Sequence, residues 1–235
     1  MKDFYFMLTL FAANTMQTIT GFAGNLLAMP LSIKLEGYDS ARAVINIFTL
    51  LACLIITIQN LHCTNFRVLF KMAGIMCIGM TVGTMLLQIC RPQILSVLYG
   101  IMIISVALKK LLIKKEFKLP KYIMIILLII AGIIHGLFLS GGALAVIYAL
   151  SEIKDKNEFR ATIAPLWVIL DTILIFFHMH ENLYVPHNLI LIALSIIPML
   201  LSIAVGNVLY KYISREMFLK ITYILLILSG ITAII

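Results

Sequence analysis

An all-α integral membrane protein, with about eight apolar segments in two related four-segment repeats, is the fold this sequence predicts. Three observations carry the prediction. Of the 235 residues, 63% are hydrophobic and 12% charged, with a mean hydropathy of +1.10, far from the roughly 45–50% apolar and 25% charged usage of soluble domains. The apolar residues fall in stretches such as 122–134, 189–208 and 217–235, which approach or reach the roughly 20 residues needed to cross about 30 Å of hydrocarbon. The two longest apolar segments are each interrupted in the middle by a glycine-rich run.

The first segment, 4–33, is broken by Thr20-Gly21-Phe22-Ala23-Gly24-Asn25. Met1-Lys2-Asp3 leads into it without a small-residue cleavage site, so it is expected to be retained structure and not a signal peptide. The second, 42–59, opens on Arg42, and the third, 68–89, carries Gly79 and Gly83. The fourth, 93–113, runs into the one strongly basic stretch, Lys109-Lys110, Lys114-Lys115, Lys118 and Lys121. Pro120 opens the fifth, 120–151, which is broken by His135-Gly136-Leu137-Phe138-Leu139-Ser140-Gly141-Gly142. The sixth, 158–178, has Pro165 and Trp167 near its start, expected to set packing and a kink, and Asp171 deep within it. Segments 187–210 and 217–235 close the series.

The basic stretch, 109–121, is expected to be a cytoplasmic linker between a first transmembrane repeat, 1–108, and a second, 122–235. Gly24-Asn25-Leu26-Leu27-Ala28 lies over Gly141-Gly142-Ala143-Leu144-Ala145, Arg42-Ala43 over Arg160-Ala161 after a one-residue shift, and Gly79 to Gly83 over Ser202 to Gly206. This is a weak internal repeat of the kind from which transporters are built. If both broken segments cross fully, Lys and Arg divide nine against nine and the positive-inside rule is silent. If each turns back as a re-entrant hairpin, Lys2, Lys34, Arg42 and Arg91 share one side and the other fourteen of the eighteen share the opposite one. That arrangement obeys the rule, puts the connector His178 to His187 outside and makes the repeats inverted. Length stands against it, because Ala143 to Leu150 covers only about 12 Å of helix.

Broken helices at membrane depth need a reason, since unpaired backbone groups in hydrocarbon cost several kcal/mol each. A ligand supplies one. The half-helices starting near Asn25 and Gly142 would turn free N–H groups and a positive dipole end toward an anion. The expected substrate-binding residues are therefore Gly21, Gly24, Asn25, Gly136, Ser140, Gly141 and Gly142, with the anion held near the midplane while the two halves rock around it. The competing account is tight helix packing through small residues. Asp171, the one acidic residue deep in an apolar segment, is a candidate for a coupling proton, paired with Arg160 or His135. His135 is a candidate relay, against the plainer role of a satisfied interior histidine. Arg42 and Arg160 are candidates for attracting the anion, against the plainer role of membrane-edge anchors. Asn14, Gln17, Asn46 and Asn207 are expected to include interhelical hydrogen bonds.

Other chemistries fit less well. The formal charge of +8 sits in short connectors without aromatic interleaving, so topology explains it and no nucleic-acid partner is expected. No G-x-x-x-x-G-K-[ST] loop is present for an ATP-driven pump. Ser140 lacks the glycine two positions earlier of a G-x-S-G hydrolase pattern, so no enzyme is expected. His178-Met179-His180-Glu181 lacks the i, i+4 spacing of a metal helix, and Cys53, Cys63, Cys77 and Cys90 form no C-x-x-C pair. No metal or other cofactor is expected. A non-transporting membrane scaffold, its basic linker on a partner or anionic lipid, remains the second reading. A site complete in one protomer and a site shared across a homodimer both suit the length.

Gly21-Phe22-Ala23-Gly24-Asn25-Leu26-Leu27-Ala28-Met29-Pro30-Leu31 resembles the first glycine-rich motif of the sulfite exporter TauE/SafE family. Gly136 to Ala143, followed by Phe159-Arg160-Ala161-Thr162, resembles its second copy. The similarity extends over essentially the whole chain in segment number, spacing and twofold repeat. Asn25 stands where the first copy usually has glycine, and Ile147 where Pro30 would repeat. The resemblance implies ATP-independent export or uptake of small sulfur-containing anions, such as sulfite or organosulfonates, by a multi-pass protein of a bacterial inner membrane.

Overall fold

The computed structural model describes residues 1–87 and 120–214 continuously, with scattered helical positions between 97 and 108 and between 216 and 231. Every regular element among the described residues is helical. They are α1 (Lys2–Thr20), α2 (Ala23–Glu36), α3 (Tyr38–Asn60, continued by a 3-10 turn, Leu61–Cys63), α4 (Phe66–Leu86), α5 (Lys121–Phe138), α6 (Gly142–Glu152), α7 (Lys156–His180) and α8 (Pro186–Tyr212). Five of these are long and apolar enough to cross a membrane: Tyr38–Cys63, Phe66–Leu86, Lys121–Phe138, Lys156–His180 and Pro186–Tyr212. The basic linker up to residue 119, Cys90 and most of segments 93–113 and 217–235 lie outside the described residues, while Lys121 already opens α5.

Local chemistry sets the boundaries. Asn65 caps α4 by accepting from the Val68 N–H at 3.1 Å, and Asp155 caps α7 by accepting from the Asn157 and Glu158 N–H groups at 2.9 Å. Pro186 occupies the first turn of α8, where its missing N–H costs nothing. Gly21 ends α1 at φ +84°, a left-handed conformation that only glycine adopts without cost.

Both broken segments fold back on themselves. Gly24 of α2 packs on Gln17 and Ala13 of α1, and Lys2 at the start of α1 is 3.4 Å from Glu36 at the end of α2. Two ends of a full crossing could not meet in this way. The second hairpin, α5–α6, closes where Gly141 packs on Ala131 and His135. It enters from the opposite end: α4 and α5 run parallel, with Gly79 against Ile129 and Gly83 against Ile133, and the α4 Lys71 lies over the ring of Tyr148 near the end of α6. The short α6, about 16 Å long at 1.5 Å per residue, is thus a return limb that starts at the buried tip and ends at the exposed Glu152. Each hairpin returns to the end from which it entered, so α6 has no need to span the molecule.

α3 and α7 run antiparallel through the centre. Arg42 meets Glu181 at one end, Asn46 meets His178 one turn in, and Asn65 meets Glu158 at the other end. Each remaining long helix flanks the first limb of a hairpin. α4 lies on α5, and α8 lies on α1, where Ser202 accepts from Asn14 at 2.7 Å and Gly206 packs on Thr18.

The hairpin geometry has a labelling consequence. In a cysteine-free background, Lys2→Cys and Asp39→Cys are expected to react with a membrane-impermeant maleimide from the same side and Lys154→Cys from the other. Reaction of positions 2 and 39 from opposite sides would show that α1 and α2 cross the bilayer as one unit.

Candidate functional site

The tips of the two hairpins meet, and polar side chains make the junction. Asn25, in the first turn of α2, donates from Nδ2 to the Leu139 carbonyl at 3.0 Å and accepts on Oδ1 from Thr49 of α3 at 2.7 Å. Ser140 donates to the Asn25 carbonyl at 3.1 Å and to the Phe138 carbonyl at 2.8 Å. Gly142 sits so close to Phe22 that a Cβ would press on its carbonyl and ring. Tyr38, in the first turn of α3, donates its hydroxyl to the Leu137 carbonyl and sets its ring edge-on to Phe138. Leu139 takes a left-handed conformation, φ 51°, which costs a β-carbon residue about 1–2 kcal/mol. Its N–H bonds to the His135 carbonyl at 2.8 Å, which turns its own carbonyl toward Asn25. Strain of this sort survives where surrounding contacts impose it, as in ligand sites.

The two tips differ in what they offer. At the first, Thr20 Oγ1 accepts from the Ala23 N–H at 3.0 Å and Gln17 Oε1 accepts from the Gly24 N–H at 2.7 Å. The expectation of free donors at the start of α2 therefore needs correction: the first hairpin caps itself. At the second, α6 starts at Gly141 with no side-chain cap. The donor end of a half-helix is thus on α6, and the first hairpin contributes Asn25 instead of backbone N–H groups.

Beside the junction lies a buried polar core. His135 Nε2 and Asp171 Oδ1 are 3.0 Å apart, and both side chains are 0% exposed. The His135 ring stacks on Trp167 with centroids 5.2 Å apart. Trp167 Nε1 donates to the Gly21 carbonyl at 2.7 Å, and Gln17 Nε2 donates to the same oxygen at 3.2 Å. The second break is therefore linked through His135 and Trp167 to the first. Trp167 goes beyond its expected packing role, because its indole N–H fixes the turn at Gly21.

The expected site residues separate into groups. Gly21, Gly24, Asn25, Ser140, Gly141 and Gly142 form the two tips and the contact between them. Gly136 stands apart on the buried face of α5 that packs on α4, where a Cβ would overlap the Met80 carbonyl; there the small-residue packing account holds. Asp171 pairs with His135 and not with Arg160. Arg160 instead donates to Asn207 at 2.5 Å and lies over the Tyr210 ring at 4.6 Å. Arg42 bonds Glu181 at 2.9 Å and lies over the Tyr38 ring at 5.3 Å. His178, read as part of an exterior loop, is a buried residue in the last turn of α7, paired with Asn46.

Some contributors escaped sequence reasoning. Thr20, three residues before Ala23, had the spacing of an N-cap and was legible as one. Thr49 and Tyr38 carry no local signal, since their partners lie 24 and 99 residues away.

A sequence model of the family described as sulfite exporter TauE/SafE matches residues 6–233 of the chain. No curated protein and no solved structure matches it.

Proposed function

Since the chain belongs to the sulfite exporter TauE/SafE family of membrane transporters, we propose that it is a secondary transporter of a small sulfur-containing anion, such as sulfite or an organosulfonate. The anion binds where the hairpin tips meet. The observation that carries this is the pair of hydrogen bonds between the tips, Asn25 to Leu139 and Ser140 to Asn25. An anion at the uncapped start of α6 takes the N–H groups and dipole of that half-helix. It also draws the Asn25 amide and the Ser140 hydroxyl away from the carbonyls they now hold. Binding thus loosens one tip from the other, which is the event alternating access needs.

The packing exchange supports two inverted repeats: α4 of the first half lies on the α5 hairpin limb, and α8 of the second half lies on α1. Transport by rocking of the halves follows from such a design. In this reading the end bearing Arg67, Lys121, Lys154, Lys156 and Lys211 faces the cytoplasm of a bacterial inner membrane. Lipid covers the apolar outer face of α8, where Ile190, Leu194, Ile197 and Leu201 are exposed.

Thermal stability of the detergent-purified protein with sulfite, thiosulfate, sulfate, sulfoacetate, taurine and chloride tests the reading. The expected result is a concentration-dependent rise with one sulfur anion; at 100-fold excess over Kd, mass action gives about 2.7 kcal/mol of stabilisation. No rise with any of them would favour a non-transporting scaffold or another substrate.

A further inference from the structure

At the end of the molecule that carries Lys2, Glu36 and His187, buried donors converge that the hairpin junction does not use. Arg42 and Asn46 lie one turn apart on α3. Across from them the last turn of α7 carries His178, and the loop that follows carries Tyr184. Arg42 is 2% exposed and His178 0%. Asn46 Nδ2 approaches His178 Nδ1 at 3.0 Å. An amide nitrogen only donates, so Nδ1 is the bare nitrogen of a neutral ring and Nε2 carries the proton. That Nε2 has no partner, and neither do Arg42 Nε or Arg42 Nη2; the Tyr184 hydroxyl lies within reach of the Asn46 side chain and makes no closer hydrogen bond. The His178 and Tyr184 rings are 6.4 Å apart, and Arg42 lies within electrostatic reach of both. Burial pushes the Tyr184 hydroxyl up to about 12, so it keeps its proton at physiological pH. Buried polar groups in native proteins are normally satisfied. Unpaired donors from two helices and a loop in one place are complementary to an acceptor-rich ligand.

We propose that Arg42, His178 and Tyr184 form a second anion site, separate from the hairpin junction, for a small oxyanion the size of sulfite or a sulfonate headgroup. The identity of the anion rests on the transporter reading above. Glu181 Oε2 holds Arg42 Nη1 at 2.9 Å, and Asp39 is 4.0 Å from the same nitrogen. The guanidinium therefore gives one part of its fork to carboxylate and keeps Nε and Nη2 for the ligand. Asn46, whose side chain lies beside the Tyr184 hydroxyl, supplies in Oδ1 an acceptor for a protonated oxygen of the anion. The nearby carboxylates offset the arginine charge, so the site holds its ligand by directed hydrogen bonds and releases it readily, as a station on an entry path must. The Arg42–Glu181 pair also ties the start of α3 to the end of α7. An anion that draws the guanidinium away from Glu181 loosens that tie.

Calorimetric titration of sulfite into the full-length protein in detergent separates the two sites. Arg42→Lys keeps a cation for Glu181 but loses the planar fork, and Tyr184→Phe removes one hydroxyl at a half-buried loop position. The wild type is expected to show two classes of site. The weaker class disappears in Arg42→Lys and loses roughly tenfold in affinity in Tyr184→Phe, the size of one hydrogen bond to a charged group, while Asn25→Ala affects only the tighter class. An isotherm unchanged in both Arg42→Lys and Tyr184→Phe, but altered in Asn25→Ala, overturns the second site and leaves the junction site standing. Loss confined to Arg42→Lys and Tyr184→Phe, with Asn25→Ala unaltered, supports the second site and overturns the junction. A wild type that binds no sulfite overturns both.

Discussion

Gly132→Val is expected to leave almost no folded protein in the membrane, whereas Gly74→Val should leave yield and thermal midpoint unchanged. Gly132 and Gly136 of α5 face Met76 and Met80 of α4, while Gly79 and Gly83 of α4 face Ile129 and Ile133 of α5. At each of the four positions the atoms that a β-carbon would meet are backbone atoms of the opposite helix, a carbonyl oxygen nearest. A flexible side chain can move aside; a helical backbone moves only by separating the helices. Association within a bilayer draws no hydrophobic driving force from water and relies on such close packing. Overpacking typically costs about 1–3 kcal/mol and more where nothing can shift, against a total stability of about 5–15 kcal/mol. Gly74, in the same α4, has open space within 4 Å. Size-exclusion chromatography of fluorescently tagged variants reads the difference. A wild-type peak for Gly132→Val would mean that α4 and α5 are not in the contact described.

Asp171→Asn is expected to fold, to transport at least tenfold more slowly and to lose any pH dependence of transport. The amide is isosteric and still offers an oxygen or nitrogen to His135, so the buried contact persists while the carboxylate that could take up a proton, or hold one on His135, is gone. Asp171→Ala should behave differently: removing one member of a buried pair costs about 3–5 kcal/mol. The pair is placed to be felt at both hairpins. His135 lies one turn before the left-handed Leu139, and its ring stacks on the Trp167 that holds the Gly21 carbonyl. A proton gained or lost here alters the contacts that fix both turns. Initial rates in proteoliposomes across a pH series decide the matter, and a wild-type pH profile in Asp171→Asn would assign the pair to structure.

Gly141 shows where sequence reasoning reached its limit. Read from the chain alone, it is a substrate-binding residue, with no local sign that it also packs a hairpin. A Cβ at Gly141 would overlap the Ala131 carbonyl, so any such variant also forces the second hairpin open. Asn25 is the better probe, because its side chain bridges the tips without filling a backbone contact. The membrane class and the two breaks were legible because hydropathy and glycine clusters are local signals. The folding back of each broken segment was the arrangement that the distribution of Lys and Arg favoured, and the short α6 fits it because its hairpin tip is buried. The self-capping of the first tip was half visible in Thr20 but hidden in Gln17, whose bond to the Gly24 N–H depends on the hairpin having closed. The roles of Arg42 and Arg160 were not legible, since Glu181 and Asn207 lie 139 and 47 residues away from them.

The most direct measurement is uptake of radiolabelled sulfite into proteoliposomes containing wild type or Asn25→Ala, each checked first for a wild-type chromatographic profile. The structure predicts uptake by the wild type that saturates with sulfite, and a loss of at least tenfold in Asn25→Ala. Equal uptake by a folded Asn25→Ala protein would contradict a transport site at the meeting of the two hairpin tips.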